Sequence, residues 1–215
     1  YVAGYKTKGF TPMHLSVMDG GLDMVEYIYY MSLNYGGMEV FLADTTGKIN
    51  LLSGSQPQLD GLKLSENGKK AAYLDTDANT GDTILVEIEL GKEKAETVAT
   101  NVQSFGYIGN TLIYYFDYTE GVGTLGAAGS KTTIANASGV QFTEDAVYYV
   151  ADADAATGNG ELRAWDGKTE TAIAKDVFAF QYKENGKLVY IGKYDVNAGV
   201  GDLYYYDGKE ARKLD

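Results

Sequence analysis

Residues 188–209 read LVYIGKYDVNAGVGDLYYYDGK, and this stretch decides the fold. An aromatic-rich apolar run, Leu188 to Tyr194, is followed by the loop Asp195 to Gly201. A second run, Asp202 to Tyr206, leads into a tight turn at Asp207-Gly208-Lys209. Working outward, the same sentence occurs in IYYMSLNYGGMEVFLADTTGK (28–48), AAYLDTDANTGDTILVEIELGK (71–92), IYYFDYTEGVGTLGAAGSK (113–131) and VYYVADADAATGNGELRAWDGK (147–168). Aligned on Tyr30, Tyr73, Tyr115, Tyr149 and Tyr190, the copies are spaced by 43, 42, 34 and 41 residues.

Repeats of about 40–45 residues holding several strands each are the mark of β-propeller blades. The runs alternate with period two, as half-buried strands do. In the last unit the expected strands are Phe178 to Tyr182, Leu188 to Tyr194, Asp202 to Tyr206 and Glu210 to Leu214. Asn-Gly and Asp-Gly pairs fall between strands at Asn67-Gly68, Asp166-Gly167, Asn185-Gly186 and Asp207-Gly208. Such pairs favour two-residue hairpin turns because their central positions tolerate positive φ. The fold class expected is therefore all-β: a single propeller domain of about five four-stranded blades over 1–215. Its units run approximately 11–53, 54–100, 101–136, 137–175 and 176–215. Residues 1–10 fit the last strand of a preceding blade, and His14 to Met24 reads as a strand pair or a short helix. The short third unit is expected to have abbreviated outer strands. Five units make a five-bladed ring or part of a ring of six to eight blades (rings commonly have about four to eight). The mid-unit start at Tyr1 favours the fragment.

Composition narrows the partners. The net charge of −12 argues against nucleic acid, whose phosphates are held by lysine and arginine. It also disfavours anionic membrane surfaces, and no apolar run approaches the roughly 18 residues needed to span a bilayer. Cysteine is absent, which excludes disulfides and thiolate metal sites. The 19 tyrosines suit half-buried sheet surfaces, where the ring packs and the hydroxyl reaches water.

Leu64-Ser65-Glu66-Asn67-Gly68-Lys69-Lys70-Ala71-Ala72-Tyr73-Leu74 resembles the WD40-like repeat of TolB-type propellers, in which Ser-Pro-Asp-Gly-Lys precedes a short apolar run. A later position of that repeat is matched by Leu203-Tyr204-Tyr205-Tyr206-Asp207 and, more loosely, by Leu162-Arg163-Ala164-Trp165-Asp166. Here Glu66-Asn67 stands for Pro-Asp, and only one unit keeps the serine. The tyrosine-rich copies are also similar to repeats of bacterial surface proteins. The resemblance implies a binding or scaffolding propeller outside the cytoplasm, in the periplasm or at the cell surface. Fold alone implies no activity.

Loops between the second and third strands of each unit gather the acidic residues. They hold Asp75, Asp77, Asn79 and Asp82; Asp117 and Glu120; Asp152, Asp154 and Glu161; Asp195, Asn197 and Asp202. In a four-stranded blade these loops share a face with the connections between blades, so the carboxylates should crowd one ligand face, with Lys193 as the cation nearby. Asp75-Thr76-Asp77-Ala78-Asn79 begins like a calcium loop, but its glycine comes one residue late and the closing glutamate is missing. Turn-forming Asp and Asn in a solvated loop is the competing reading. Gly121-Val122-Gly123-Thr124-Leu125-Gly126 matches a dinucleotide fingerprint in letters only, since Lys131-Thr132-Thr133-Ile134 continues as strand where that motif needs a helix. His14 stands alone, and no nucleophile motif is present. Trp165 either packs between blades or stacks a sugar at the rim, and Asn136-Ala137-Ser138 formally fits a glycosylation acceptor. Paired carboxylates can serve a glycosidase only at a defined separation, which sequence does not give. The function expected is a non-catalytic, extracytoplasmic module that binds a protein or glycan through the acidic loop face. An accessory or catalytic propeller of a hydrolase is the alternative.

Overall fold

The computed structural model describes the backbone of residues 12–18, 27–34, 37–44, 49–52, 58–90, 92 and 94–214, and burial for residues 61–90, 92 and 95–214. Among these residues the regular structure is all β, in antiparallel sheets, and no helix occurs. The chain divides into two compact units, Tyr1–Val102 and Gln103–Asp215.

The first unit holds two four-stranded meanders. One comprises β1 (Pro12–Met18), β2 (Tyr27–Asn34), β3 (Gly37–Asp44) and β4 (Ile49–Leu52), hydrogen-bonded in that order. The described part of the His14 to Met24 run is thus strand, and the rest lies outside the described residues. The other comprises β5 (Gln58–Leu64), β6 (Lys70–Thr76), β7 (Thr83–Glu89) and β8 (Lys94–Thr100). Register aligns Leu64, Ala71, Ile88 and Ala95 across all four strands, and all four join the cluster built on Leu62, Tyr73 and Val86. Cross-strand rows of this kind are the unit of sheet stabilisation.

In the second unit ten strands bond in strict chain order. They are β9 (Val102–Ile108), β10 (Thr111–Thr119), β11 (Val122–Ala127), β12 (Thr133–Phe142), β13 (Val147–Ala151), β14 (Gly160–Trp165), β15 (Glu170–Glu184), β16 (Lys187–Asp195), β17 (Val200–Tyr206) and β18 (Ala211–Leu214). The ladder is continuous because two strands are shared. The first half of β12 pairs with β11 and its second half with β13. In β15 the division between β14 and β16 falls at Val177. Just before each division stands a left-handed residue, Asn136 (φ 55) and Asp176 (φ 54), and Asn101 (φ 55) likewise precedes Val102. Asn and Asp tolerate that conformation better than other non-glycine residues. The next residue, Val102, Ala137 or Val177, is buried each time.

β13, Val-Tyr-Tyr-Val-Ala, is buried at every position because it packs on both faces. Val147, Tyr149 and Ala151 join Ile113, Tyr115, Leu125 and Trp165 on one side. Tyr148 and Val150 meet Leu162, Val177, Leu188 and Tyr190 on the other. Trp165 is therefore core, not a rim residue.

Turn chemistry follows the sequence in part. Asn185-Gly186 has both residues at positive φ (51 and 73), the expected two-residue turn. At Asp166-Gly167 and Asp207-Gly208 only the glycines are left-handed. The tip there is Gly-Lys, and each aspartate sits outside it, its Oδ1 accepting the N–H groups two and three residues on. In the third unit β12 supplies only residues 133–136 before its division, where the equivalent strand β8 has seven residues. In addition, β10 meets β11 through the two-residue turn Glu120-Gly121, where β13 and β14 are joined by residues 152–159. Ser65 of the TolB-like stretch is buried, and its hydroxyl accepts the Lys70 N–H at 3.0 Å. Thr143 does the same work ahead of β13, accepting the Ala146 N–H at 3.2 Å and donating to the Ala146 carbonyl at 2.7 Å.

Candidate binding face at the loop ends

Three of the acidic loops share one construction. In 77–81, 154–158 and 195–199 an aspartate opens the loop and a left-handed glycine closes it, Gly81 (φ 79), Gly158 (φ 73) and Gly199 (φ 67). The glycine N–H donates to the aspartate's own carbonyl at 2.7–2.8 Å. The aspartate Oδ1 takes the N–H groups two and three residues on: Asn79 and Thr80 for Asp77, Ala156 and Thr157 for Asp154, Asn197 and Ala198 for Asp195. These hydrogen bonds favour the ionised form. They hold the carboxyls of Asp77 and Asp154 below the usual carboxylate range, led by the backbone N–H of Asn79 and of Thr157 respectively.

The other expected site residues each have a setting of their own. Asp75 is buried at the end of β6 and accepts the Thr76 N–H. Asp82 is exposed and donates its N–H to the Thr80 hydroxyl. Asp117 (φ 51) and Glu120 (φ 51) are exposed left-handed residues at the end of β10 and in its turn. Asp152 (φ 48) accepts the Asn136 side-chain amide at 3.2 Å, so the nitrogen of the formal glycosylation triplet is engaged. Glu161 is ion-paired with Arg163, which also binds Glu170. Asp202 pairs with Lys213 Nζ at 2.8 Å, the bond that chiefly lowers its pKa. Asn197 is an exposed loop-tip residue. Among the described residues no three His, Cys, Asp or Glu side chains gather as a metal cage.

What the second unit does bring together is aromatic. The Asn159 side chain ties the 152–159 loop to the end of β16, its Nδ2 donating to the Tyr194 carbonyl at 2.8 Å and its Oδ1 accepting the Tyr194 N–H at 3.2 Å. Between them lies Phe178, stacked on Tyr194 with ring centroids 4.1 Å apart. A Cβ on Gly158 would stand 2.9 Å from the Phe178 ring, so this glycine is required by close approach as well as by its φ. Phe178 stays 39% exposed, and Val196 and Val200, in and after the loop that follows Tyr194, are 51% and 61% exposed. Sequence reasoning missed this patch because Phe178 was counted into a regular strand. A register shift between Val177 and Ala179 breaks the alternation there. The signal was in the repeat: Asn101-Val102-Gln103 and Asn136-Ala137-Ser138 have polar residues where Asp176-Val177-Phe178 has a ring.

The glycine fingerprint is structural. Gly121 is in a turn, and Gly123 and Gly126 lie in β11, where added Cβ atoms would meet the Tyr115 and Tyr114 rings at 2.7 and 2.8 Å. Strand β12 follows, as the sequence implied.

No protein-family model and no curated protein matches the chain. Solved structures do resemble it. An acylaminoacyl peptidase in complex with Z-Gly-Gly-Phe-chloromethyl ketone matches at a TM-score of 0.52 and 13% identity, over 96% of this chain. This chain spans only 40% of that peptidase. The β-propeller domain of the Trilobed protease from Pyrococcus furiosus, described as having an open velcro topology, matches at 0.51 and 11% identity, over 96% of this chain and 72% of that one. TolB from Acinetobacter baumannii matches at 0.44 and 14% identity, over 86% of this chain and 50% of that one, too distant to bear on the fold. At these identities the likeness is one of fold, and the fold is that of β-propeller proteins.

Proposed function

We propose that this chain is a non-catalytic propeller module, working outside the cytoplasm, that binds a protein or glycan through its loop ends. The observation that carries the reading is the Asn159–Tyr194 stitch, which fixes the 152–159 loop to the end of β16 beside a stacked aromatic pair whose Phe178 is exposed. Rigid presentation lowers the entropy lost on binding, which is what a recognition surface needs. The TolB-like sequence resemblance supports the extracytoplasmic location. No helix among the described residues is long and apolar enough to cross a membrane.

The test is a glycan array and a defined protein panel probed with the full chain and with Asn159→Ala, which unties the loop. Retained ligands that bind the variant equally well would overturn the reading. A second reading, an accessory propeller of a hydrolase, draws support from the likeness to peptidase chains of which this chain spans part. Sequencing the gene on both sides decides between them: an intact hydrolase domain in the same frame favours the second.

A further inference from the structure

Resting on that reading, we infer that the loop face binds a protein segment that combines apolar and basic side chains, with Phe178 and Tyr194 at the centre of the contact. The acidic loops contribute a rim, not a cage. Asp154 and Asp195 each spend Oδ1 on their own loop amides, which fixes the carboxylate in place without neutralising it. Asp202, further along, is already matched by Lys213 and influenced by Lys193. The same loop ends expose the large apolar side chains Phe178, Val196 and Val200.

Among the described residues the strongly exposed large apolar side chains are Tyr118, Val122, Phe178, Val196, Val200, Leu203 and Leu214. Tyr118, Val122, Val196 and Val200 sit in or beside the connections at residues 120–121 and 196–199, and Phe178 follows the division of β15 at Val177. An apolar centre ringed by fixed charge is the anatomy of a protein interface. Aromatic anchors at such centres dominate affinity, while rim charges set orientation and association rate. The anionic rim and the net charge of −12 select a cationic partner. A ring pair also offers its π-face to a guanidinium or ammonium group. A neutral sugar would leave the rim charges without a counterpart.

The experiment presents the full chain with four probes: a peptide alternating leucine or phenylalanine with lysine, its glutamate counterpart, a lysine-serine peptide without apolar residues, and a set of neutral oligosaccharides. The first should bind, and the other three should not. Phe178→Ala should weaken that binding at least about tenfold. Because Phe178→Ala also removes packing against Gly158, the pair Val196→Thr and Val200→Thr, on exposed tips, provides a second readout and should weaken binding several-fold with an unchanged melting midpoint. Equal binding of the glutamate or the serine peptide overturns the inference, as does indifference to both sets of variants. Binding of oligosaccharides alone overturns it while sparing the parent reading. Binding of none of the four overturns both.

Discussion

Tyr115 and Tyr149 occupy the same place in two successive repeats, and both rings are buried, yet removing their hydroxyls should have opposite effects. Tyr115 Oη donates to the Ala137 carbonyl at 2.8 Å, in the middle of shared strand β12. Tyr149 Oη is buried with no hydrogen-bond partner among the described residues; Glu170 and Arg163 lie near but neither meets it in bonding geometry. Tyr115→Phe loses one buried bond and leaves a carbonyl short of a donor, a cost of about 1–2 kcal/mol. Tyr149→Phe removes a desolvated group that gains nothing, so stability should hold or rise by up to about 1 kcal/mol. For a chain of this size one kcal/mol moves the melting midpoint by roughly 2–4 °C. Tyr115→Phe should therefore lower the midpoint by about 2–8 °C, while Tyr149→Phe leaves it in place or raises it. Circular dichroism melts and urea midpoints of both variants, taken side by side at neutral pH, make the comparison. If Tyr149→Phe loses as much as Tyr115→Phe, the orphaned hydroxyl is a misreading and the argument fails.

Other outcomes follow from the same structure. Burial raises the pKa of Tyr114, Tyr148, Tyr149 and Tyr190, and takes Tyr115 from 10.0 to about 12, with Tyr118 adding to it. The folded chain keeps protons that the unfolded chain releases, so stability is intact below pH 10 and falls as pH climbs toward about 12. Urea midpoints followed with tyrosinate absorbance should show the fall in that window, and a flat profile would count against it. Gly123→Ala places a Cβ 2.7 Å from the Tyr115 ring and 2.9 Å from the Phe116 carbonyl, and overpacking of that kind costs about 1–3 kcal/mol. A thermal melt indistinguishable from the parent would show that the ring simply moves aside. Calcium should leave the midpoint unchanged, because Asp75 is buried and Asp77 Oδ1 already serves two amides. A midpoint that rises with calcium and returns with chelator would reverse this, since any ligand held only by the native state stabilises it.

How far the sequence could be read depended on whether a signal was local. Alternation and turn residues are local, so the strand bounds of the last unit came through: β16 and β17 match the runs around Tyr190 and Tyr204. The glycines of the false fingerprint were placed correctly for the same reason. Carboxylate roles were not legible, because an aspartate that caps a loop and one that meets a ligand favour the same turn-rich context. Asp77, Asp154 and Asp195 look like an acidic face in the sequence and are loop fasteners first in the structure. Thr143 in the role of Ser65 was hidden by a difference in spacing: the Ser65 loop closes on Lys70, five residues on, and the Thr143 loop on Ala146, three residues on. Phe178 was misjudged because one register slip at Val177 inverts which side chains face outward.

The sharing of β12 and β15 has a consequence for solubility. Wherever separate sheets meet in a chain, each would present unpaired N–H and C=O groups along its flanks, an invitation to strand addition by another molecule. From β9 to β18 sharing shortens such flanks to part-strands: Thr133 and Ile134 pair with β11 alone, Gln141 and Phe142 with β13 alone, and β15 divides in the same way at Val177. Strand β18 is itself four residues long, exposed at every position, and carries Arg212 and Lys213. A short, cationic last strand is a poor template for β-aggregation. Short part-strands at the divisions of β12 and β15 limit strand addition in the same way, because few backbone groups stand unpaired in any one row.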